Sequence, residues 1–182
     1  MELKEAMNNL NEPVAEIEDD NLQAAEEELV NVVQLVGFVL DDVEYGVDIL
    51  NVYEIQKVHQ IAHLPNSPDY IKGILNLRGD VIPVVDLRIR FGLRTVEATE
   101  FSRIIVIDTD GKKIGLFVDN VRKVIRIPEA NVSQPSDLII TDLSEEFIRG
   151  IGRMQEHLIV ILNVTNIAGA AEETKEVAPV EA

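Results

Sequence analysis

The sequence of 182 residues predicts an all-β fold made of two similar modules, each with about five short strands. Three observations indicate this fold. Short runs of Val, Ile and Leu alternate with turn residues, the Asp110-Gly111 step favours a tight hairpin turn, and two blocks of sequence recur in the same order. Because five short antiparallel strands are commonly closed into a small barrel, which removes exposed edges, we expect two barrels.

The first module is predicted to begin with a hairpin and to continue with a third strand, a helical turn and a second hairpin. Ser67-Pro68 indicates the helical turn, because a capping residue there precedes Pro at the first helical position. A short helix that ends at Gly92 then bridges the modules. In chain order the elements are Val33–Leu40, the Asp41-Asp42 turn, Glu44–Val47, Val52–Val58, Ser67-Pro68, Tyr70–Leu87 and Asp86–Gly92.

The second module is predicted to repeat this order. Asp142 is followed three residues later by Glu145, which has the spacing of a capping box and predicts the second helical turn. The remaining elements are Arg103–Ile107, the Asp108–Gly111 turn, Lys113–Val118, Val121–Ile127, the hairpin Phe147–Val164 and a short closing helix from Val164 onward.

The repeat itself can be counted residue by residue. Tyr70–Leu87 aligns without gaps to Phe147–Val164, and Tyr45–Ile55 aligns to Ile114–Val124. Two blocks in the same order indicate two copies of one module. The identical pairs are Ile71/Ile148, Gly73/Gly150, Ile74/Ile151, Ile82/Ile159, Gly46/Gly115, Asn51/Asn120 and Val52/Val121.

The net charge of −17 is concentrated at the two ends of the chain. Residues 1–30 carry −9, residues 170–182 carry −3, and the 139 residues between them carry only −5. We therefore expect an acidic disordered tail over 1–30, a folded region over 31–169 with modules at about 31–98 and 99–169, and a flexible acidic tail over 170–182. The first tail is either a solubilising segment or an acidic docking segment.

This acidity excludes several classes of function. Phosphate backbones and anionic membrane surfaces repel such a chain, so neither nucleic acid nor membrane is expected as a partner. Met1–Leu10 lacks a basic start followed by an apolar run, and no stretch approaches the roughly 20 apolar residues that span a bilayer. We therefore expect a cytoplasmic protein without direct membrane insertion. The absence of Cys excludes disulfides and thiolate chemistry.

Neither a catalytic set nor a metal set of residues can be assembled from the sequence. His59 and His63 are four residues apart, as metal ligands on a helix would be, but their surroundings predict a strand and loop, and a third ligand is lacking. Asp108–Asp110 begins like a calcium loop, but Lys112 occupies the next ligand position. The prediction is a binding protein with no catalytic residue, no metal and no cofactor.

In the Asn76–Gly79 turn, the conformation that the backbone requires accounts for Gly79 but does not account for Arg78. Gly79 suits a hairpin position that tolerates positive φ. Arg78 is either solvated, or paired with a carboxylate such as Asp80 or Asp86, or functional.

Several long, ordered motifs between Val33 and Ala168 strongly resemble the CheW family of bacterial chemotaxis coupling proteins. Related domains occur in the kinase CheA and in CheV adaptors. The motifs are Glu44–Leu50, Val52–Ile55, Leu64–Gly73, Asn76–Gly79, Ile82–Arg88 and Gly115–Asp119.

The resemblance implies two five-stranded SH3-like β-barrels packed side by side, with short helical turns and a short C-terminal helix. It also implies a non-enzymatic scaffold that links the cytoplasmic tips of methyl-accepting chemoreceptors to the regulatory domain of the histidine kinase CheA within receptor clusters. Self-association in arrays is compatible with the resemblance. The receptor helix would lie in the groove between the barrels. A small-barrel nucleic-acid-binding protein is the alternative, which the net charge disfavours, and an enzyme would depend on His59 and His63 alone.

The resemblance assigns roles to individual residues. A kinase or ring interface matches Asp137 and Leu138. Arg103 departs from the small or apolar residue that the family often carries at a receptor-contact position. The residues implied for receptor binding and coupling are Val52, Glu54, Ile55, Gly73, Asn76, Leu77, Arg78 and Gly79.

Overall fold

The computed structural model describes residues 31–135 and 145–172. The strands are β1 (Val32–Leu40), β2 (Val43–Asp48), β3 (Val52–Lys57), β4 (Ile71–Leu77), β5 (Asp80–Asp86), β6 (Arg103–Thr109), β7 (Lys112–Val118), β8 (Asn120–Pro128), β9 (Val132–Ser133), β10 (Ile148–Met154) and β11 (His157–Leu162). The helices are α1 (Leu87–Arg90) and α2 (Val164–Glu172), and 3₁₀ turns cover Ile49–Asn51, Glu129–Asn131 and Glu145–Phe147.

The strands form two sheets, and the predicted all-β class is confirmed. The first barrel is the five-stranded sheet β3-β6-β7-β5-β4, and the second barrel is the six-stranded sheet β8-β1-β2-β11-β10-β9. Each sheet curls back on itself in the same way. Ala62, after β3, pairs with Ile74 of β4, and Ser133, in the two-residue β9 that follows β8, pairs with Ile151 of β10.

The sheets do not follow the expected division of the modules near residues 98 and 99. The leading β1–β2 hairpin joins the second barrel through a parallel pair, Gly46 opposite Ile161, and the β6–β7 hairpin joins the first barrel through the pair Val84 opposite Gly115. The two copies therefore exchange their leading hairpins. Alternation of apolar residues determines which faces are buried, but both hairpins carry the same pattern, so it does not determine which copy supplies the neighbouring strand.

The apolar side chains form three clusters. The largest lies between the two sheets, one lies inside the first barrel, and one lies inside the second. Strand β6 illustrates the arrangement, because Ile104 and Val106 face the inside of the first barrel whereas Ile105 and Ile107 face the shared cluster. A strand buried on both faces reads as a continuous apolar run, as this one does.

The internal repeat appears as matched backbone features. The N–H of Asp86 donates to the carbonyl of Tyr70 at 2.8 Å, and the N–H of Asn163 donates to the carbonyl of Phe147 at 2.8 Å. A register shift also falls at the same place in both copies, before Gly73 and before Gly150. The pairs Tyr70/Phe147 and Asp86/Asn163 are equivalent in the sequence, so the two copies share one backbone design.

The helical predictions have mixed outcomes. Helix α1 is confirmed, with the Asp86 carboxylate accepting from the N–H of Arg88 at 3.0 Å, and α2 is confirmed as the closing helix. The helical turn at Ser67-Pro68 is wrong. The hydroxyl of Ser67 donates back to the carbonyl of Leu64 at 2.8 Å, so this side chain closes a turn instead of capping a helix. Asp142 lies outside the described residues.

Candidate functional site

The turn between β4 and β5 presents Arg78 on a backbone of left-handed conformation. Arg78 has φ 53° and Gly79 has φ 97°. Two successive positive φ values give the turn a twist that matches the twist of the two flanking strands. Gly at the second position adopts a positive φ without a steric cost. The side-chain oxygen of Asn76 accepts from the N–H of Gly79 at 3.2 Å and closes the turn. The predicted need for positive φ at Gly79 is confirmed.

Arg78 pairs with a carboxylate, as one of the sequence alternatives predicted, but its partner is Glu54 and not Asp80 or Asp86. The Nη2 of Arg78 lies 2.9 Å from Oε2 of Glu54, and the arginine side chain is 72% exposed. The carboxylates of Asp80 and Asp86 instead bind lysines, Lys113 at 2.9 Å and Lys72 at 3.2 Å. Glu54 and Arg78 are 24 residues apart in the chain, and the curling of the first barrel brings β3 to the β4–β5 turn.

Strand β3 carries an exposed apolar side chain, Ile55, directly after Glu54 in the chain and on the opposite side of the strand. Ile55 is opposite Ile105, a member of the shared cluster, whereas Gln56 is opposite Ile104 inside the first barrel. Ile55 therefore lies on the side of β3 that faces the shared cluster, and yet it is 42% exposed. Val52, half-buried, packs against the same cluster. An apolar edge beside a polar pair is typical of protein-binding surfaces.

Two of the predicted site residues hold the backbone of the turn. Leu77 is buried inside the first barrel. Gly73 has φ 147°, and a Cβ there would overlap the carbonyl oxygen of Ala62, the residue that closes the barrel. These two residues support the surface on which Glu54, Ile55, Asn76 and Arg78 stand.

The structure adds three neighbours to the residues that the resemblance implies for coupling. Tyr53 and Val81 are exposed, and the ammonium group of Lys113 lies 4.3 Å from the centre of the Tyr53 ring. The hydrogen bond that the Lys113 ammonium group donates to the carboxylate of Asp80 raises the pKa of Lys113. Tyr53 stands two residues before Ile55 on β3, and both are exposed. This spacing of two is the one sequence signal that could have identified Tyr53. Lys113 comes from another hairpin, so only the sheet order brings it here.

The other candidate residues lie apart from this surface. Arg103 turns back on its own chain, where Nη1 donates to the carbonyls of Glu100 and Ser102 at 2.7 and 2.8 Å. His59 and His63 are exposed in the segment between β3 and β4, and within residues 31–135 and 145–172 no three His, Cys, Asp or Glu side chains are grouped to hold a metal ion. Asp137 and Leu138 lie outside the described residues. Neither described helix is long and apolar enough to cross a bilayer.

Comparison with known proteins gives consistent results. A family model described as "CheW-like domain" matches residues 34–172. The chain is 32% identical to the chemotaxis protein CheW of Klebsiella aerogenes, over 74% of this chain and 81% of that protein. It is 33% identical to the chemotaxis protein CheW of Helicobacter pylori, over 78% of this chain and 85% of that protein.

A solved structure agrees with these relatives. The crystal structure of the scaffolding protein TtCheW from Thermoanaerobacter tengcongensis superposes with a TM-score of 0.67 at 38% identity, and the match covers 72% of this chain and 84% of that one. The family model, which matches residues 34–172, spans both copies of the repeat and the barrels that they form. The chain belongs to the CheW family, the scaffolding adaptors of bacterial chemotaxis.

Proposed function

We propose that this chain, a non-enzymatic adaptor, couples methyl-accepting chemoreceptors to the regulatory domain of the histidine kinase CheA through the coupling face. The coupling face consists of Glu54, Ile55, Asn76 and Arg78, with Val52, Gly73, Leu77 and Gly79 as its support. The observation that carries the proposal is the Arg78–Glu54 pair at 2.9 Å, which joins β3 to the β4–β5 turn next to the exposed Ile55.

The physical properties of this face suit a helix as its partner. Burying apolar surface of Ile55 and its neighbours against a helix contributes about 25 cal/mol per Å². An exposed ion pair contributes only about 0–1 kcal/mol to folding, so Arg78 and Glu54 can exchange each other for charges of a partner at little cost. The pair therefore sets the register of the docked helix while the apolar edge supplies the affinity.

The proposal places the protein in the cytoplasm at receptor clusters. The receptor contributes its cytoplasmic tip, and the kinase contributes its regulatory domain. A kinase or ring contact at Asp137 and Leu138, together with self-association in arrays, stays a prediction from the resemblance. No cofactor enters this function, because the coupling depends on surface complementarity.

Reconstitution tests the proposal. Full-length protein, CheA and receptor-containing membranes are combined, and phosphate incorporation into CheA is measured with and without attractant. We expect Arg78→Ala to keep the fold and abolish control of the kinase by attractant. Arg149→Ala is the matched control, because Arg149 is also exposed and also pairs with a carboxylate, Asp48 at 2.9 Å, but lies on the second barrel.

Two outcomes would contradict the proposal. Wild-type protein that binds neither receptor tips nor CheA in pull-downs would exclude the adaptor role altogether. Unchanged attractant control with Arg78→Ala would remove Arg78 from the coupling face. The alternative of a nucleic-acid-binding barrel has no support from the relatives described above, which are chemotaxis proteins, and a gel shift at low salt would be needed to revive it.

A further inference from the structure

The two helices that follow the equivalent hairpins differ at their second residue. Helix α1 begins at Leu87 and α2 begins at Val164, and these two residues are equivalent and buried. The next position is Arg88 in α1 and Thr165 in α2. Arg88 is buried with its side chain only 7% exposed, whereas Thr165 is exposed. One copy of the repeat therefore buries a charge where the other has an exposed, uncharged side chain.

The guanidinium of Arg88 is held by three groups. Its Nε and Nη2 donate to the carboxylate of Asp119, with distances of 2.8 Å to Oδ1 and 2.6 Å to Oδ2. Its Nη1 donates to the carbonyl of Arg94 at 2.7 Å, and Nη2 lies 3.4 Å from the carboxylate of Asp41. The Asp119 carboxylate also accepts from the N–H of Asp41 at 3.3 Å. We call Arg88, Asp119, Asp41 and the Arg94 carbonyl the Arg88 junction.

The Arg88 junction connects the two barrels. Arg88 belongs to α1, directly after β5 of the first barrel. Asp119 lies where the chain crosses from β7 in the first barrel to β8 in the second, and Asp41 lies in the β1–β2 turn of the second barrel. Hydrogen bonding to Asp119 raises the pKa of Arg88, so the charge persists at every physiological pH.

A second arginine of α1 also bridges the barrels. The guanidinium carbon of Arg90 lies 4.4 Å from the ring centre of Tyr70 and 4.5 Å from that of Phe147. Tyr70 precedes β4 of the first barrel and Phe147 precedes β10 of the second. Both arginines of this four-residue helix therefore contact elements of both barrels.

The fold forms without such a cluster at the equivalent place. The repeat places Leu50 at the other crossing, where it is equivalent to Asp119, and Leu50 is 89% exposed. A crossing without a buried ion pair is thus compatible with this architecture. Because a buried ion pair is seldom the most stabilising choice, its presence at one crossing indicates a role in fixing geometry.

We infer that Arg88 is a positioning residue for coupling, which fixes the β1–β2 turn and the start of β8 in the second barrel relative to the coupling face on the first. The inference rests on the proposed function. Its mechanical part concerns the Arg88 junction alone and can be measured without receptor or kinase.

Electron spin resonance distances test the mechanical part. The chain has no Cys, so Lys57→Cys on β3 and Asp42→Cys in the β1–β2 turn provide two unique labelling sites, both exposed. In full-length protein we expect a narrow distribution of distances between the labels. Arg88→Met is expected to broaden the distribution well below the unfolding temperature, where a merely stabilising residue would have no effect. Arg149→Met, which breaks an ion pair within the second barrel, is expected to leave it narrow.

A second variant keeps the test valid if Arg88→Met fails to fold. Arg88→Lys retains the charge, but an ammonium group cannot hold both oxygens of Asp119 and the Arg94 carbonyl at once, so an intermediate broadening is expected. In reconstituted membranes, both Arg88 variants are expected to bind receptor and CheA as wild type does while losing attractant control. Distributions as narrow as wild type in the folded variants would overturn the inference. If the wild-type protein did not couple CheA to the receptor, the proposed function would be overturned, whereas the distances between the labels would still test the mechanical part.

Discussion

The β4–β5 turn of the first barrel and the β10–β11 turn of the second occupy equivalent places in the repeat, but they present different chemistry. Arg78 in one corresponds to Gln155 in the other, and both have positive φ, 53° and 55°. Glu54 corresponds to Lys123, so the acidic partner of Arg78 is replaced by a base. The apolar positions Ile55 and Val124 are exposed in both copies. The backbone was retained in both copies, whereas the charged residues differ between them.

Residues that build the barrel recur in both copies, whereas residues that serve one surface occur in one copy. Gly73 and Gly150, with the buried Ile71 and Ile148 two residues before them, recur because each barrel must close on itself. Arg78 and Glu54 do not recur, because barrel closure does not require them. Differences between the copies therefore identify candidates for function.

The largest effect is expected from the glycines that close the barrels. Gly73→Ala should lower the free energy of unfolding by about 3–5 kcal/mol, because positive φ strains Ala and the new methyl overlaps the backbone of Ala62. Gly150→Ala should cost about 1–3 kcal/mol, because the methyl meets the Val132 side chain at 2.9 Å and the φ of Gly150 is ordinary. Urea unfolding followed by circular dichroism measures both. Equal losses would show that neither the positive φ of Gly73 nor its closer approach to the backbone of Ala62 adds to the cost.

Reversing the charge of Arg78 tests the ion pair that is specific to the first copy. Arg78→Glu should lower the free energy of unfolding by about 1 kcal/mol, because two carboxylates then face each other at an exposed site. The double variant Glu54→Arg with Arg78→Glu should recover most of this loss. In the second copy, Gln155→Glu should change stability by less than about 0.5 kcal/mol. A double variant as unstable as Arg78→Glu would argue against a direct pair.

At one core position the first copy has Tyr45, which can lose a proton at alkaline pH, whereas the second copy has Ile114, which cannot. Burial, and secondarily the charge of Asp41, raises the pKa of Tyr45 above its ordinary value of 10.0. The unfolded phenol loses its proton first, so this contribution to stability is complete below about pH 10 and is lost as the pH rises further. Tyr45→Phe keeps the ring stack with Phe38 and Phe91 and should reduce the decline. Thermal unfolding between about pH 8 and pH 11 measures how the stability of both proteins declines with pH. An identical decline in both proteins would assign it to other groups.

The smallest effect on stability is expected at the exposed apolar positions of β3 and β8. Ile55→Ser and Val124→Ser should each change the free energy of unfolding by about 0.5 kcal/mol or less, because both side chains are largely exposed. Only Ile55→Ser should weaken binding to a receptor tip, measured by titration calorimetry. Equal weakening by both variants would extend the receptor contact to the second barrel.

The sequence by itself determined the class of the fold and the repeat. Apolar alternation, the Asp110-Gly111 turn and the recurrence of Tyr70–Leu87 in Phe147–Val164 are local signals, and local signals determine strands, turns and the faces that they bury. The motifs also indicated the family and, through it, a role in coupling for Arg78. The prediction of a helical turn at Ser67-Pro68 is wrong because a serine hydroxyl can donate to a preceding carbonyl as readily as it can accept from a following N–H. Local spacing does not distinguish these two hydrogen bonds.

Only the tertiary structure decided which strands are neighbours. The exchange of leading hairpins, the Arg78–Glu54 pair and the Arg88 junction join residues far apart in the chain, and all of them follow from sheet order. The separations run from 24 positions between Glu54 and Arg78 to 115 between Gly46 and Ile161. A hairpin with the right alternation can pair with either copy, and a hairpin-tip arginine can reach several carboxylates. The choice depends on the packing of the shared cluster between the barrels, a property of the whole chain that no short stretch of sequence contains.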